Sequence, residues 1–400
     1  MENSYFKKLP LFILMINLFI ALLGQGMVIP ILPEYLKQFN AAGSAAGYLV
    51  AAFGAAQFLF SPIGGRLSDR HGRKIMIFSD MILTVISDFI FAVSPYLILL
   101  YIARFIGGIG LGIMIPSVLA YVSDVTSKDT RAKGMGYLSA AMNLGMVLGP
   151  GIGGIIANFG VRVPYFFAAA LGFASTLLTL ILPETLPIEK RTASKGSEQQ
   201  ESIVEQLVQS VHTSYFRYLI LIFIMTFGLV NYETVYSLFV EHKYGFTTQQ
   251  ISVLITLGAA IGIIVQVWLI DKVIKRYGEY KTIRFSLVMA AIALVLMILK
   301  VNFIYLILVS SVFFTFNSFL RPTVNTMLSK EAGDQQGFVS GLNNMYTSLG
   351  NIIGPILAGN LFDKQINLPY ILGAFILLIT TCLVKKENKI QNNEVIVNER

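Results

Sequence analysis

The 400-residue chain is 55% hydrophobic and 13% charged, with a mean hydropathy of +0.69. A soluble domain carries about 25% charged residues, so this balance excludes a water-soluble globular protein and points to an all-α membrane protein. A net charge of +8 could suit a nucleic-acid binder, but the bases are spread over loop ends without interleaved aromatics, so no nucleic-acid partner is expected.

Apolar stretches of about 20 residues, the length needed to cross about 30 Å of hydrocarbon, recur along the chain. The first, 10–32, follows Lys7 and Lys8 like the core of a signal peptide. It is too long for one and has no small-x-small cleavage site, so it reads as an uncleaved helix. The next five spans are 45–65, 75–94, 97–120, 135–157 and 163–183. After a polar segment containing TASKGSEQQES come 216–240, 248–270, 282–300, 302–326, 337–361 and 368–384. Twelve transmembrane helices are therefore expected, with a six-helix bundle over 1–184, a flexible linker over 185–215, a second bundle over 216–384 and a tail over 385–400. Of the 30 Lys and Arg, 23 fall on one side of these spans and five on the other. Because basic residues are retained in the cytoplasm, both termini and the linker are expected there. Cys382 is the single cysteine, and His71, His212 and His242 are read as separate loop residues, so neither a metal site nor a cofactor is expected.

The two bundles repeat one another. GYLSAAMNLGMVLGPGIGG (136–154) returns in weakened form as GLNNMYTSLGNIIGPILAG (341–359), at an offset of 205 residues. DRHGRK (69–74) and KRYGEYK (275–281) align Gly72 with Gly278 at an offset of 206, and Pro116 falls on Pro322 at the same offset. Parallel repeats of this kind build transporters whose site lies between the halves near the bilayer midplane. On the fifth span Gly145, Gly149 and Gly153 recur every four residues beside Pro150, which is expected to kink the helix. The stripe reads either as ordinary small-residue packing or as a surface for helices that slide past one another.

Charges inside the spans are costly, at roughly 2.5–3.5 kcal/mol each on insertion scales, and so mark functional positions. At 1.5 Å per residue, Glu233, Arg104 and Asp88 lie at about 10, 10 and 9 Å from the side with few bases. Asp88 and Arg104 occupy consecutive helices. Either they form an offsetting ion pair, or Asp88 takes up a proton and frees Arg104 to move. Arg321 lies roughly 18 Å from Glu233 along the helix axis, which suits a structural or gate role. Asp80, near the end of the third span, can snorkel to the interface.

Glu233 is left without an evident counter-ion. Burial in a low-dielectric cavity disfavours its charged form while a bound cation favours it, so protons and cations compete for one carboxylate. Tyr236 and Ser237 share its helical face, and Tyr236 can stack on an aromatic or cationic ligand as well as pack in the core. Gln25, Gln57, Asn143, Asn317, Asn343 and Asn351 are polar candidates for a pocket lining, and Phe314 is a candidate apolar wall. Asp69, with Arg70, Arg73 and Lys74 around it, can bind neighbouring helix ends, with Asp124 a candidate partner. Gly65 and Gly72 permit the tight turn in that loop.

GGRLSDRHGRK (64–74) resembles the loop signature of the major facilitator superfamily, RFIGGIG (104–110) its fourth-helix signature with Gly107 in place of the usual glutamine, and GMVLGPGIGG (145–154) its fifth-helix antiporter signature. The segments GYLSAAMN, RVPYFFA, FGLVNYETVYSLF, LRPTVN and QQGFVSGLNN together look like the NorA and Bmr type of multidrug exporter, which exchange protons for amphipathic drugs. The resemblance implies that Glu233 is the acidic residue of the drug pocket and that the 64–74 cluster stabilises an outward-facing state. Those relatives carry an aspartate where this chain has Ser318, which leaves one pocket carboxylate in the second half.

The expected activity is a proton-coupled antiporter that exports diverse hydrophobic or cationic drugs from a bacterial cytoplasmic membrane as a monomer. A carrier for one metabolite is the alternative, and a non-transporting scaffold the distant one. No G-x-x-x-x-G-K-[ST] phosphate loop and no nucleophile with a base at recognisable spacing occur, so neither a primary pump nor an enzyme is expected.

Overall fold

In lipid every backbone N–H and C=O must be satisfied within its own segment, so apolar runs of this length can only become helices. A computed structural model describes residues 2–187, 191, 203–299, 302–332 and 335–384. The first half contains α1 (Glu2–Val28), the short α2 (Leu32–Lys37), α3 (Gly43–His71), α4 (Arg73–Val93), α5 (Leu97–Val125), α6 (Lys128–Ile156) and α7 (Val163–Thr179). Between the halves lies α8 (Ile203–Ser210). The second half contains α9 (Phe216–Tyr244), α10 (Thr248–Ile264), a π-turn (Val265–Leu269), α11 (Ile270–Tyr277), α12 (Glu279–Leu296), α13 (Phe303–Ala332), α14 (Gln336–Lys364) and α15 (Leu368–Leu383). Among the described residues, eight helices are long and apolar enough to cross a membrane, and Val163–Thr179 and Leu368–Leu383 are shorter apolar ones.

The segment expected to be a flexible linker contains a helix, α8. The Ser210 hydroxyl at the end of that helix lies 2.9 Å from that of Tyr346 on α14. Residues 188–190 and 192–202 of that segment, and the 385–400 tail, lie outside the described residues. His71 and His242 are not loop residues but close the last turns of α3 and α9. The helices also outrun the apolar spans at the end that carries the basic loops, reaching His71, Val125, Tyr277 and Ala332, because amphipathic turns stay helical beyond the hydrocarbon.

Packing reproduces the repeat. In the first half α1 packs on α6 and α7, α3 and α4 on α5, and α4 on α7; in the second, α9 packs on α14 and α15, α10 and α12 on α13, and α12 on α15. Gly145, Gly149 and Gly153 press against the backbone of α1, where a side chain would strike the carbonyls of Phe19, Leu23 and Met27. Their counterparts Gly350 and Gly354 meet the backbone of α9 at Phe223 and Phe227. The stripe therefore holds each half together and does not form the surface between the halves. Two equivalent turns complete the symmetry: Gly72 (φ 110°) joins α3 to α4 and Gly278 (φ 77°) joins α11 to α12, both in a region costly for other residues.

The halves meet along α3 with α14 and α6 with α10. These contacts use a second set of small residues. A Cβ on Gly47 would collide with the Pro355 carbonyl, one on Gly359 with the Gly43 carbonyl, and one on Gly154 with Ser252. The polar contacts that join the halves gather at the end opposite the basic loops. Lys37 pairs with Glu241 at 2.5 Å, Thr248 donates to Glu34 at 3.0 Å, and Gln249 donates to Asn158 at 2.5 Å. Asp363, at the end of α14, accepts from the Gly43 and Ser44 amides at 2.7 and 3.0 Å. Since Ala42 has no capping side chain, the start of α3 is capped from the opposite half, carboxylate against helix dipole.

This closure is testable by cross-linking, because Cys382 is the only native cysteine. An ideal Cβ at Gly43 lies 3.0 Å from the Phe362 Cβ, so Gly43→Cys with Phe362→Cys in a Cys382→Ser background should form a disulfide after a shift of a few tenths of an ångström. Oxidation should arrest transport and reductant restore it. A pair that stays reduced under oxidant would contradict the closed end.

Candidate functional site

Two cavities lie between the halves and share Glu233. The larger, about 430 Å³, falls within the range of pockets that hold drug-sized molecules. Tyr232, Glu233 and Tyr236 of α9 form one wall, Phe314, Asn317, Ser318 and Arg321 of α13 another, and Asn143 and Met146 of α6 come from the opposite half. The smaller, about 140 Å³, is bounded by Gln25, Phe53 and Arg104 of the first half facing Glu233, Thr234 and Ser237 of the second. Glu233 thus stands where the second half looks across at the first.

Its surroundings are unequal in polarity. The Glu233 side chain is exposed to the cavity while Tyr232, Thr234, Val235 and Tyr236 around it are buried. Among the described residues its carboxylate has neither an ion-pair partner nor a hydrogen bond. Arg104 lines the same small cavity, yet its guanidinium lies 5.0 Å from the centre of the Phe91 ring. That contact gives the cation a polarizable face without consuming a carboxylate.

An aromatic cluster shapes the larger cavity. The Tyr232 ring lies 4.3 Å from Phe313, 4.7 Å from Tyr236 and 5.8 Å from Phe314. The Tyr236 hydroxyl is 2.8 Å from that of Ser310, which holds the ring against the wall. Ser318, where the acid of the resembled exporters would stand, donates to the Phe314 carbonyl at 2.7 Å and offers the cavity no charge.

Several expected lining residues lie elsewhere. Gln57 sits where α3 meets the α5 backbone at Gly112, Asn351 abuts Gly54 between the halves, and Asn343 donates to Asn325 at 3.1 Å, tying α14 to α13. Of the three, Asn343 uses its amide in a contact between helices. Asp88 and Arg104 do not form an ion pair within 4 Å, the first of the two readings, and the Asp88 carboxylate is directed toward α1 at Gly24. Asp80 does not snorkel. It is fully buried against Gly110 of α5, with one carboxylate oxygen unpartnered. Arg321 lines the larger cavity with its side chain exposed, because that cavity runs lengthwise toward the basic end.

Tyr232, Met146, Thr234 and Gln266 escaped the sequence reading. The first two look like core residues in sequence and Thr234 carries little polarity, but Gln266 is an amide in the apolar run IGIIVQVWLI and carried the same signal as Gln25. It lines the cavity and lies in the π-turn at Val265–Leu269, the kind of helix irregularity often found at functional sites.

The 64–74 cluster is built around Arg73, which is 8% exposed. Its guanidinium meets Asp69 at 2.5 Å, Asp124 at 3.5 Å and Ser68 at 3.1 Å. Glu184, which the sequence reading overlooked, accepts from the Arg73 and Lys74 amides at 2.9 and 3.2 Å, and the Lys74 ammonium donates to the Leu180 carbonyl at 2.7 Å. Gly65 packs on Pro116, and a Cβ at Gly72 would collide with the Glu184 carboxylate. These contacts all lie within the first half. Arg70, one residue along α3, is exposed at the same end.

The family model described as Major Facilitator Superfamily matches residues 14–355. The chain is 40% identical over 393 residues to Multidrug resistance protein 2 of Bacillus subtilis, covering 97% of this chain and 98% of that protein. It is 37% identical over 382 residues to the quinolone resistance protein NorA of Staphylococcus aureus, covering 95% and 97%. Two solved structures share the fold: nucleoside transporter NupG, with a TM-score of 0.76 and 15% identity over 94% of this chain and 99% of that one, and the human organic anion transporter TETRAN, with a TM-score of 0.66 and 20% identity over 95% and 99%.

The separation of Asp88 from Arg104 has a measurable consequence. Combining Asp88→Arg with Arg104→Asp should transport little better than the worse single variant, since the two side chains make no contact within 4 Å to rebuild. Recovery in the double variant, measured as flux into vesicles at matched protein content, would restore the ion-pair reading.

Proposed function

The chain belongs to the Major Facilitator Superfamily, and on that premise we propose that it is a proton-coupled antiporter that expels hydrophobic and cationic drugs across a bacterial cell membrane. The observation that carries this reading is Glu233, an unpaired carboxylate exposed to a cavity of about 430 Å³ with aromatic walls. An ionised carboxylate there attracts a cationic ligand, and the Tyr232, Tyr236 and Phe314 rings supply a chemically tolerant apolar and π surface for its body. Once a proton binds, the attraction is lost. Proton and cation therefore exclude one another at a single group, and alternating exposure of that group to the two sides yields exchange.

We take the end rich in bases as cytoplasmic, with both termini there and twelve spans in two six-helix bundles separated by the 185–215 segment. The contacts through Lys37, Glu241 and Asp363 then close the outer end, and the conformation is inward-facing. In this reading the Arg73 cluster, held inside the first half here, engages the second half when the cytoplasmic end closes. Arg321 lies near that opening, where it can act as a gate.

In everted vesicles an imposed proton gradient should drive accumulation of several unrelated dyes, and Glu233→Gln should lower affinity for monocationic ones roughly tenfold or more and stop their accumulation. Cation affinity should fall as the pH on the cavity side falls, because protonation removes the charge, and the variant should lose this dependence. Accumulation of one metabolite but no dye would reject drug export. Undiminished dye accumulation by the variant would reject the role of Glu233. Ser318→Asp restores a second carboxylate to the same cavity and should raise affinity for dications over monocations by roughly tenfold, read from competition binding.

A further inference from the structure

A separate groove of about 470 Å³ opens on the outer flank of the second half, away from Glu233. Val273 and Tyr277 of α11, Phe285 of α12 and Phe316 and Phe319 of α13 line it, with Lys281 among them. It begins at the basic end: counted from Glu279, Lys281 is about 3 Å and Phe285 about 9 Å along α12. Its mouth is therefore charged and its depth apolar. Phe285 is 59% exposed and Tyr277 55%, so both rings face the surroundings of the protein more than its core.

The charge around the mouth is uncompensated. Lys272, Lys275, Arg276, Lys281 and Arg284 are all exposed, and among the described residues none is in an ion pair. Of the two acids in the same stretch, Glu279 is already bound to Lys330 at 2.5 Å, which leaves Asp271 alone against five bases. α11 divides cleanly, with Ile270, Val273, Ile274 and Tyr277 on an apolar face and Asp271, Lys272, Lys275 and Arg276 on a polar one. No residue of α11 is buried, although it directly continues a membrane helix through the π-turn.

We propose that this groove binds one anionic phospholipid of the adjacent leaflet, its phosphate held by Lys281 and the neighbouring bases and an acyl chain lying along Phe285, Phe316 and Phe319. Charge complementarity selects the headgroup, and the depth of the apolar channel selects a lipid over a soluble anion. A basic pocket between helices, with apolar walls running into the hydrocarbon, is the arrangement anionic lipids recognise. The inference does not rest on drug export, since it concerns a different face of the second half and requires only that the chain be embedded in a bilayer.

Trp268 is the sole tryptophan, so Trp268→Phe with Phe285→Trp places a single fluorophore in the groove. In the full-length protein reconstituted into phosphatidylcholine vesicles, brominated phosphatidylglycerol should quench this fluorophore more than brominated phosphatidylcholine at the same mole fraction. Adding Lys281→Gln should reduce that preference about fivefold while leaving quenching by the brominated phosphatidylcholine unchanged, which also reports an intact fold. If Phe285→Trp disturbs packing, Tyr277→Trp in the Trp268→Phe background reads the opposite wall. Equal quenching by the two lipids, or a preference that Lys281→Gln does not alter, would overturn the proposal. Loss of the preference on adding inorganic phosphate would also overturn it, by identifying a soluble anion as the occupant.

Discussion

Close approach of helix backbones governs this molecule. Lipid tails are as apolar as the side chains they touch, so burying leucine against leucine supplies little drive for helices to associate within a bilayer, and packing distance becomes decisive. Gly145, Gly149 and Gly153 bring α6 onto α1, and Gly350 and Gly354 bring α14 onto α9. Without these contacts there would be no rigid halves to rock. On other faces of the same helices, Gly154 and Gly359 let the halves touch at one end. A small residue leaves no interlocking side chain behind, so a contact of this type can part without dismantling a core.

Closure at one end leaves a cavity that separates toward the other, and the chemistry follows from what is left unpaired there. Asp69, Asp124 and Glu184 are all satisfied at the end of the first half, around Arg73. Glu233 is not. Arg104, which lines the smaller cavity with it, is held over the Phe91 ring, and Ser318 contributes no charge. A carboxylate kept free in this way costs stability, and in the exchange proposed for Glu233 a proton or a ligand cation occupies the position. Asp88, not in contact with Arg104, is a second carboxylate within a span, directed toward α1 at Gly24.

Much of this was legible in order along the chain. The apolar runs located the helices to within a few residues at most ends, the offset of about 205 residues announced the two-fold plan, and Glu233 stood out because lipid penalises it. The polar candidates fared unevenly for one reason: an amide within a span satisfies itself equally well against a neighbouring helix or in a cavity, and spacing does not distinguish the two. Asn143 and Asn317 reached the cavity, whereas Asn343 bonds to Asn325 between α14 and α13. Gln266 was passed over although it carried the same signal as Gln25.

Composition and periodicity by themselves determined class, helix positions, internal duplication and the presence of carboxylates within spans, because each depends on local hydrophobicity or on backbone satisfaction within a single segment. Only the tertiary structure decided which face each glycine stripe presents, that Asp363 caps α3 across the two halves, that Asp88 and Arg104 stay apart, and that Glu233 serves two cavities at once. Those outcomes depend on the rotation of each helix about its own axis. Rotation is set by contacts between segments hundreds of residues apart, here 320 residues for Gly43 and Asp363, and no window of sequence contains them.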